Sequence, residues 1–465
     1  MRSFKLHKIL FIAFAASVIV ILFFFEFGNK VITIPQGNLN PVAVTLEKIS
    51  INWMPYSTGD VKKDSILREI VKQIEFKNQN YAINIDYPGG IDDGNNESAI
   101  AGYIANSIHS ENYRWDIVRL NDVIYKEVAS IIGDPDWGAK YLVNFGDVPG
   151  YYFAHRPFVL NGPYFRQFTG NIHVGPYIDG RLIVVFFNSN LTEELGIKIK
   201  EFDMNASDLL EYMKAISDYN KTHNKNILPF CDDINSNSLY FLFQQLYFSN
   251  LGTDPNNKAN ISNNILTDAL YKTLAVFEEV GNYMPNTNYK FNEPLKAFLK
   301  DTVVFYFSEI CKYMEFKKLD NSRTRKILTA GLPGMEKSEF YLGNYLPAWV
   351  VLRNSPNSKD ATKALNYLCD NSISKMWLNN TYNISGLKND DYAFFSKGDK
   401  NLEFKSIITG RYKEHLRFYN RANELFHSNN DQLHLLLISN LENLILGKTS
   451  ADNAFREISD NLIIN

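Results

Sequence analysis

The groups that could do chemistry in this 465-residue chain are three cysteines, eight histidines and many carboxylates and aromatic rings. Cys231, Cys311 and Cys369 stand far apart and form no CxxC pair, which excludes zinc ribbons and thioredoxin-type redox chemistry. An odd count leaves at least one thiol free and argues against a disulfide framework. His415, His427 and His434 are the closest histidines, yet their spacing does not put them on one helical face with a carboxylate. There is no GxxxxGK phosphate loop, no GxGxxG after a strand, no GxSxG elbow and no HExxH. Asp92 to Glu97 (DDGNNE) has a calcium-loop flavour. It lacks alternating acids before the glycine and a closing glutamate, so it reads as a polar turn. Asp232 and Asp233 could pair as catalytic carboxylates, but adjacent acids point apart, and a solvated loop is the simpler reading. Asn-x-Ser/Thr triplets at Asn96, Asn190, Asn205 and Asn220 are what an asparagine-rich chain produces by chance. Nothing in this inventory demands an enzyme, a cofactor or a metal. What is plentiful is aromatic surface: 27 Tyr, 33 Phe and 5 Trp.

The elements that must position these groups are legible from periodicity. Hydrophobic residues at 45% and charged residues at 21% describe a globular chain with room for two or three domains. A net charge of −3 gives no reason to expect nucleic acid as a partner. Arg2, Lys5 and Lys8 precede an uncharged run from Ile9 to Phe25. That run sits at the lower edge of the ~17–25 residues a spanning helix needs, and above the ~7–15 of a signal-peptide core. With no small-residue cleavage site after it, the run reads as an uncleaved signal anchor with the rest of the chain outside the cytoplasm. Residues 31–44 hold two prolines and read as a tether.

Beyond the tether, strands and helices alternate. Period-two or continuous apolar patterns predict strands at Leu46–Trp53, Tyr81–Tyr87, Trp115–Leu120, Gly180–Asn188, Thr302–Phe307 and Tyr345–Leu352, the last with Pro347 at a strand start or edge. Helical faces fall at Leu67/Ile70/Val71/Ile74 and at Leu209/Leu210/Met213/Ile216. Further helices are predicted from Thr267 as N-cap to Gly281 as C-terminal cap, from Ser358 as N-cap, and from Ala451 through Phe455, Ile458 and Leu462. Alternation of this kind predicts an α/β fold with largely parallel sheets.

Taken in order, these segments resemble the extracellular solute-binding proteins of ABC importers, in the branch of maltose- and other sugar-binding proteins. Leu67–Asp86 looks like the family's opening helix and second strand, and Trp115–Leu120 like the strand that usually carries "pDvv". Gly170–Tyr177 (GNIHVGPY) is similar to "GkiYgvPy", Phe187–Ile197 to "YNkdLfekaGi", and Ser207–Ile216 to "twdELleaakkl". Ala297–Phe307 resembles "aFasGkaAMyi", with Asp301 where glycine is usual. Ala330–Gly334 (AGLPG) resembles "aplPg", Val351–Leu368 "ipknSkhkeaAwkFl", and Leu446–Leu462 the closing "sGkkspeeAlkeaqekl". The order and spacing of nine such matches carry the likeness, which covers roughly residues 45–465. The anchor is a departure, because most such proteins carry a cleaved signal or a lipidated cysteine.

The resemblance implies a two-lobed periplasmic-binding-protein-like fold of type II, each lobe a mixed, largely parallel sheet flanked by helices. Lobe 1 would comprise 45–176 plus 347–395, and lobe 2 178–345 plus 400–465. Crossings between them are expected near Pro176–Gly180, Tyr345–Val351 and 385–400. It implies capture of a small solute, most simply a carbohydrate, in an interlobe cleft, and delivery to ABC permease subunits by a monomer without cofactor or nucleic acid. The competing readings are a membrane-anchored sensor ectodomain and a surface glycoside hydrolase with two carboxylates. In such a fold the site lies where strands end and the chain crosses. The candidate ligand-binding residues are therefore Trp53 and Tyr56 after the first strand, Asn121 and Asp122 after the third, Asp179 and Trp349 at crossings, Asp232 after a buried strand, and Glu309. The expectation for Trp349 is a ligand contact whose removal costs the fold little.

Overall fold

A computed structural model describes residues 48–56, 61–86, 97–156, 160, 172–233, 238–251, 263–285, 288–336, 341–344, 347–388, 416–418 and 431–462. The anchor, the tether, Asp92–Asn96, His415, His427 and the side chains of Asp122 and Leu462 lie outside the described residues. Among the described residues, no helix is long and apolar enough to cross a membrane. The described residues form one compact unit.

Its strands, in chain order, are β1 (Ile49–Trp53), β2 (Tyr81–Ile85), β3 (Ile117–Arg119), β4 (Arg181–Asn188), β5 (Leu228–Phe230), β6 (Asp232–Asp233), β7 (Lys290–Phe291), β8 (Val303–Glu309), β9 (Ile327–Gly331), β10 (Tyr341–Asn344), β11 (Trp349–Val351) and β12 (Leu416–Phe418). They build a four-stranded sheet in the order β11-β3-β1-β2 and a six-stranded sheet in the order β12-β10-β4-β8-β5, with β9 also on β4. The small β6-β7 pair stands apart.

In the four-stranded sheet β1 runs parallel to β2 and β3, and only β11 is antiparallel, at the edge. Pro347 precedes β11 and so removes no ladder donor. The six-stranded sheet corrects the expectation of largely parallel pairing. There β4 is antiparallel to β8, β9 and β10, and only β5-β8 and β10-β12 are parallel. The physical reason is that an apolar run records which faces of a strand are covered and carries nothing about the direction of its neighbours.

The continuous apolar run of β4 is explained by what each face meets. Leu182, Val184 and Phe186 belong to a core shared with the four-stranded sheet, while Ile183, Val185 and Phe187 belong to a core with the helices Ala206–His223, Ser238–Leu251 and Asn263–Tyr283. A strand covered on both faces needs no polar alternation. In the same way β11 sends Trp349 and Val351 to the shared core and Val350 to a third one around Trp115 and Trp137. All five tryptophans are buried, on or against the four-stranded sheet; the helix core on the far face of the six-stranded sheet holds none.

Two predicted caps are corrected. The helix Asn263–Tyr283 begins before Thr267 and runs through Gly281. A Cβ at Gly281 would lie 2.4 Å from the Leu444 carbonyl oxygen, so this glycine serves close packing against the helix Asp431–Ile445. Ser358 is the first residue of its helix, and Asn357 is the cap position. Asp301, the departure from the family's glycine, has φ +58°, a left-handed conformation that aspartate tolerates better than most residues. Its carboxylate accepts a hydrogen bond of 2.6 Å from Asn188 Nδ2 at the end of β4.

Candidate functional site

Membership of the strands shows where the chain passes between sheets: between β3 and β4, between β10 and β11, and between β11 and β12. These three passages touch. A Cβ at Gly175, on the first, would lie 2.4 Å from the Trp349 carbonyl oxygen, on the second. Gly180 and Ile384 exchange backbone hydrogen bonds of 2.8 and 3.0 Å, tying the first to the third.

A polar cluster grows at this junction from the end of β1. Tyr56, 6% exposed, donates its hydroxyl to Asp179 Oδ2 at 2.7 Å. Asn383 Nδ2 donates to the other oxygen of the same carboxylate, and Lys63 Nζ stands 4.0 Å from that oxygen. Lys63 lies in the first turn of the helix Val61–Lys77, which Leu67, Ile70, Val71 and Ile74 pack onto the shared core. Its ammonium is also 4.0 Å from the centroid of the Tyr56 ring, and the Arg119 guanidinium is 5.0 Å from that centroid. Burial first, and then the Asp179 carboxylate, push the Tyr56 phenol up, so it stays a hydrogen-bond donor at neutral pH. Burial alone would lower the Lys63 ammonium, but its electrostatic interactions with Tyr56 and Asp179 outweigh burial and raise it.

Beside this cluster, Arg181 at the start of β4 pairs with Glu309 at the end of the antiparallel β8, Nη1 to Oε1 at 3.2 Å. Their side chains are 33% and 25% exposed, which leaves both reachable from solvent. The Glu309 carboxylate is the main reason the Arg181 guanidinium is raised. Cys311 Sγ lies 3.4 Å from Glu309 Oε2, and burial, then that carboxylate, push its thiol up to about 12. A thiol held protonated in this way is a poor nucleophile. Among the described residues no cluster of histidine, cysteine and carboxylate could hold a metal ion.

The remaining candidates divide. Trp53 and Trp349 meet edge to face at 5.7 Å, and Trp349 also touches Tyr56 at 5.8 Å and Trp377 at 5.2 Å. Trp349 Nε1 donates to the Met54 carbonyl at 3.0 Å. Both indoles are core side chains that wall the polar cluster from behind, which does not match the expectation that Trp349 costs the fold little. Asn121 caps the helix Asp122–Ile132 by accepting from the Ile124 amide. Asp232 is buried, not solvated: Oδ1 accepts from the Ser238 amide and hydroxyl, at 3.4 and 2.8 Å, at the start of the helix Ser238–Leu251. The structure therefore brings together Tyr56, Asp179, Glu309, Trp53 and Trp349, and gives Asn121 and Asp232 capping work elsewhere. Lys63, Arg119, Arg181, Trp377 and Asn383 were missed in the sequence. Only Arg181, directly after the expected crossing, carried a positional signal.

No family model matches this sequence, and no curated protein matches it. Solved structures do match in three dimensions. A family 1 extracellular solute-binding protein of Bifidobacterium longum subsp. infantis shares 15% identity at a TM-score of 0.62, covering 90% of this chain and 100% of its own. A binding protein of Bacillus subtilis in an open conformation shares 11% at 0.63, covering 90% and 97%. A sugar transporter protein of Bacillus licheniformis, solved with stachyose, shares 13% at 0.57, covering 89% and 99%. The fold is thus that of the extracellular solute-binding proteins, an α/β architecture with mixed sheets, and the resemblance read from the sequence segments holds in three dimensions.

Proposed function

We propose that this protein captures a small carbohydrate between two lobes, 45–176 plus 347–395 and 178–345 plus 400–465, and delivers it outside the cytoplasm to an ABC permease. The observation that carries the reading is the junction itself. Tyr56, Lys63, Asp179 and Asn383 form a largely buried network where the three passages meet, and the partly exposed Arg181–Glu309 pair adjoins it. Sugar hydroxyls need carboxylate and cationic partners, and their C–H faces need aromatic walls. Carboxylates and cations converge here, backed by the buried rings of Tyr56, Trp53 and Trp349. The division of the strands between two sheets supports the lobe boundaries. Solved relatives in fold bound to stachyose and raffinose support the ligand class. The protein binds as a monomer without turnover, held at the membrane by Ile9–Phe25, and Glu309 and Arg181 make the reachable polar contacts.

The test is titration calorimetry of the full-length protein in detergent micelles against raffinose, stachyose and xylo-oligosaccharides, with product analysis of each mixture. The expected result is one-site binding of at least one sugar, recovered unchanged, and weakened at least tenfold (about 1.4 kcal/mol) by Glu309→Gln. Absence of heat and of thermal shift across the panel, or cleavage of the sugar, overturns the reading.

A further inference from the structure

His155 is fully buried and both of its ring nitrogens are committed to backbone groups. Nδ1 lies 2.9 Å from the Tyr151 carbonyl oxygen, which can only accept. Nε2 lies 3.2 Å from the Tyr177 amide, which can only donate. The ring is therefore the neutral tautomer with its proton on Nδ1. Tyr177 lies on the first passage between the sheets. On either side of His155 the backbone is laddered to the third passage: Arg156 N donates to Gly386 O at 2.8 Å, and Lys388 N to Ala154 O at 2.7 Å. Gly386 N in turn donates to Tyr177 O at 2.8 Å. One imidazole thus closes a three-segment ladder at the place where the chain must bend if the two sheets move.

We propose, on the two-lobe reading above, that His155 is a proton-controlled pin of this hinge: neutral, it joins the two stretches of the first passage, at 154–156 and at 177, that hold the third, and protonated in acid it releases the Tyr177 amide and loosens the junction. A second ring proton would face the Tyr177 N–H donor to donor, so the link cannot survive protonation. The Tyr151 carbonyl favours the added charge, and the burial of the ring and the cationic groups around it oppose it. His173 on the first passage and Lys388 on the third both act against it electrostatically. Arg156 is adjacent in sequence, with Nε on the Leu387 carbonyl. The Tyr151 and Tyr177 rings pack on the imidazole with centroids at 4.2 and 5.7 Å.

Burial, the largest cause, lowers the His155 imidazole from 6.5 to about 4. Proton linkage then makes opening of the junction about twentyfold more favourable at pH 5 than at pH 7. The experiment is hydrogen–deuterium exchange of the ligand-free, full-length protein at the two pH values, with each peptide normalised to its intrinsic exchange rate. Peptides covering 175–180 should lose about twentyfold in protection at pH 5, while the helix Ala206–His223 changes less than threefold. His155→Gln should flatten this response, and His173→Gln should keep it. A wild-type response under threefold at 175–180 overturns the proposal, as does a response of equal size in His155→Gln. Should His155→Gln fail to fold, His173→Gln decides: a response at 175–180 kept at full size supports the proposal, and a response lost with His173 overturns it.

Discussion

Replacing Trp349 by alanine tests whether the indole is a wall of the site or a surface for the ligand. The side chain is 1% exposed and packs edge to face on three rings, those of Trp53, Tyr56 and Trp377. Truncating a buried tryptophan of this kind costs ~3–5 kcal/mol, through lost transfer energy and the cavity left behind. The Met54 carbonyl also loses its donor at 3.0 Å, which adds about 1 kcal/mol for a buried acceptor left unmade. The sum, about 4–6 kcal/mol, is a large part of the ~5–15 kcal/mol that folded chains possess. Trp349→Phe keeps most of the packing but loses the donor, so it should cost roughly 1–3 kcal/mol. Urea unfolding of the full-length protein, followed by far-ultraviolet circular dichroism, measures both. A loss below about 1 kcal/mol in Trp349→Ala would refute the packing argument, and a fall in sugar affinity at unchanged stability would move the ring to the ligand.

Tyr56→Phe removes a buried hydrogen bond to a carboxylate and should destabilise the chain by about 1.5–3 kcal/mol in the same urea assay. Asp301→Gly relieves the left-handed backbone but forfeits the bond from Asn188, so the two effects should nearly cancel; Asp301→Ala keeps the strain and loses the bond, costing about 2 kcal/mol by thermal melts. Gly281→Ala should cost ~1–3 kcal/mol, because the new methyl must push the helices Asn263–Tyr283 and Asp431–Ile445 apart. Burial lowers both His155 and His173 from 6.5 to about 4. Their contribution to stability is therefore complete above pH 6.5 and lost as the pH falls toward 4, which urea midpoints across that range will show.

The fold was legible wherever a single periodic face decided the matter. Leu67, Ile70, Val71 and Ile74 were readable as one helical face because all four enter the same core. The buried run of β4 was readable because both of its faces are covered. Strand direction in the six-stranded sheet was not, since periodicity says which residues are buried and nothing about which way a neighbour runs. Gly281 misled because a glycine that ends a helix and one that admits a neighbouring helix look alike in one dimension. The site was half legible. Tyr56, Asp179 and Glu309 follow from where strands end. Lys63 reaches the same point from the first turn of a helix, Trp377 from inside one and Asn383 from just past its end, and only tertiary contact brings them there. Asp232 and Asn121 sit at equally suggestive strand ends, but helix amides there claim their oxygens.

The placement of the tryptophans makes the molecule its own optical ruler. All five indoles lie on or against the four-stranded sheet, whereas the helix core beyond the six-stranded sheet is rich in tyrosine, with Tyr212, Tyr240, Tyr247 and Tyr289, and has no indole. Excitation absorbed by those phenols can pass to tryptophan only across the junction. Tyr56, Tyr103 and Tyr125 touch Trp349, Trp115 and Trp137 and add a constant background, so it is the change in the ratio of tyrosine-sensitised to direct tryptophan emission that reports the separation of the two halves, with no dye attached. A rise in that ratio as ligand is added would record closure in real time, on the unmodified chain.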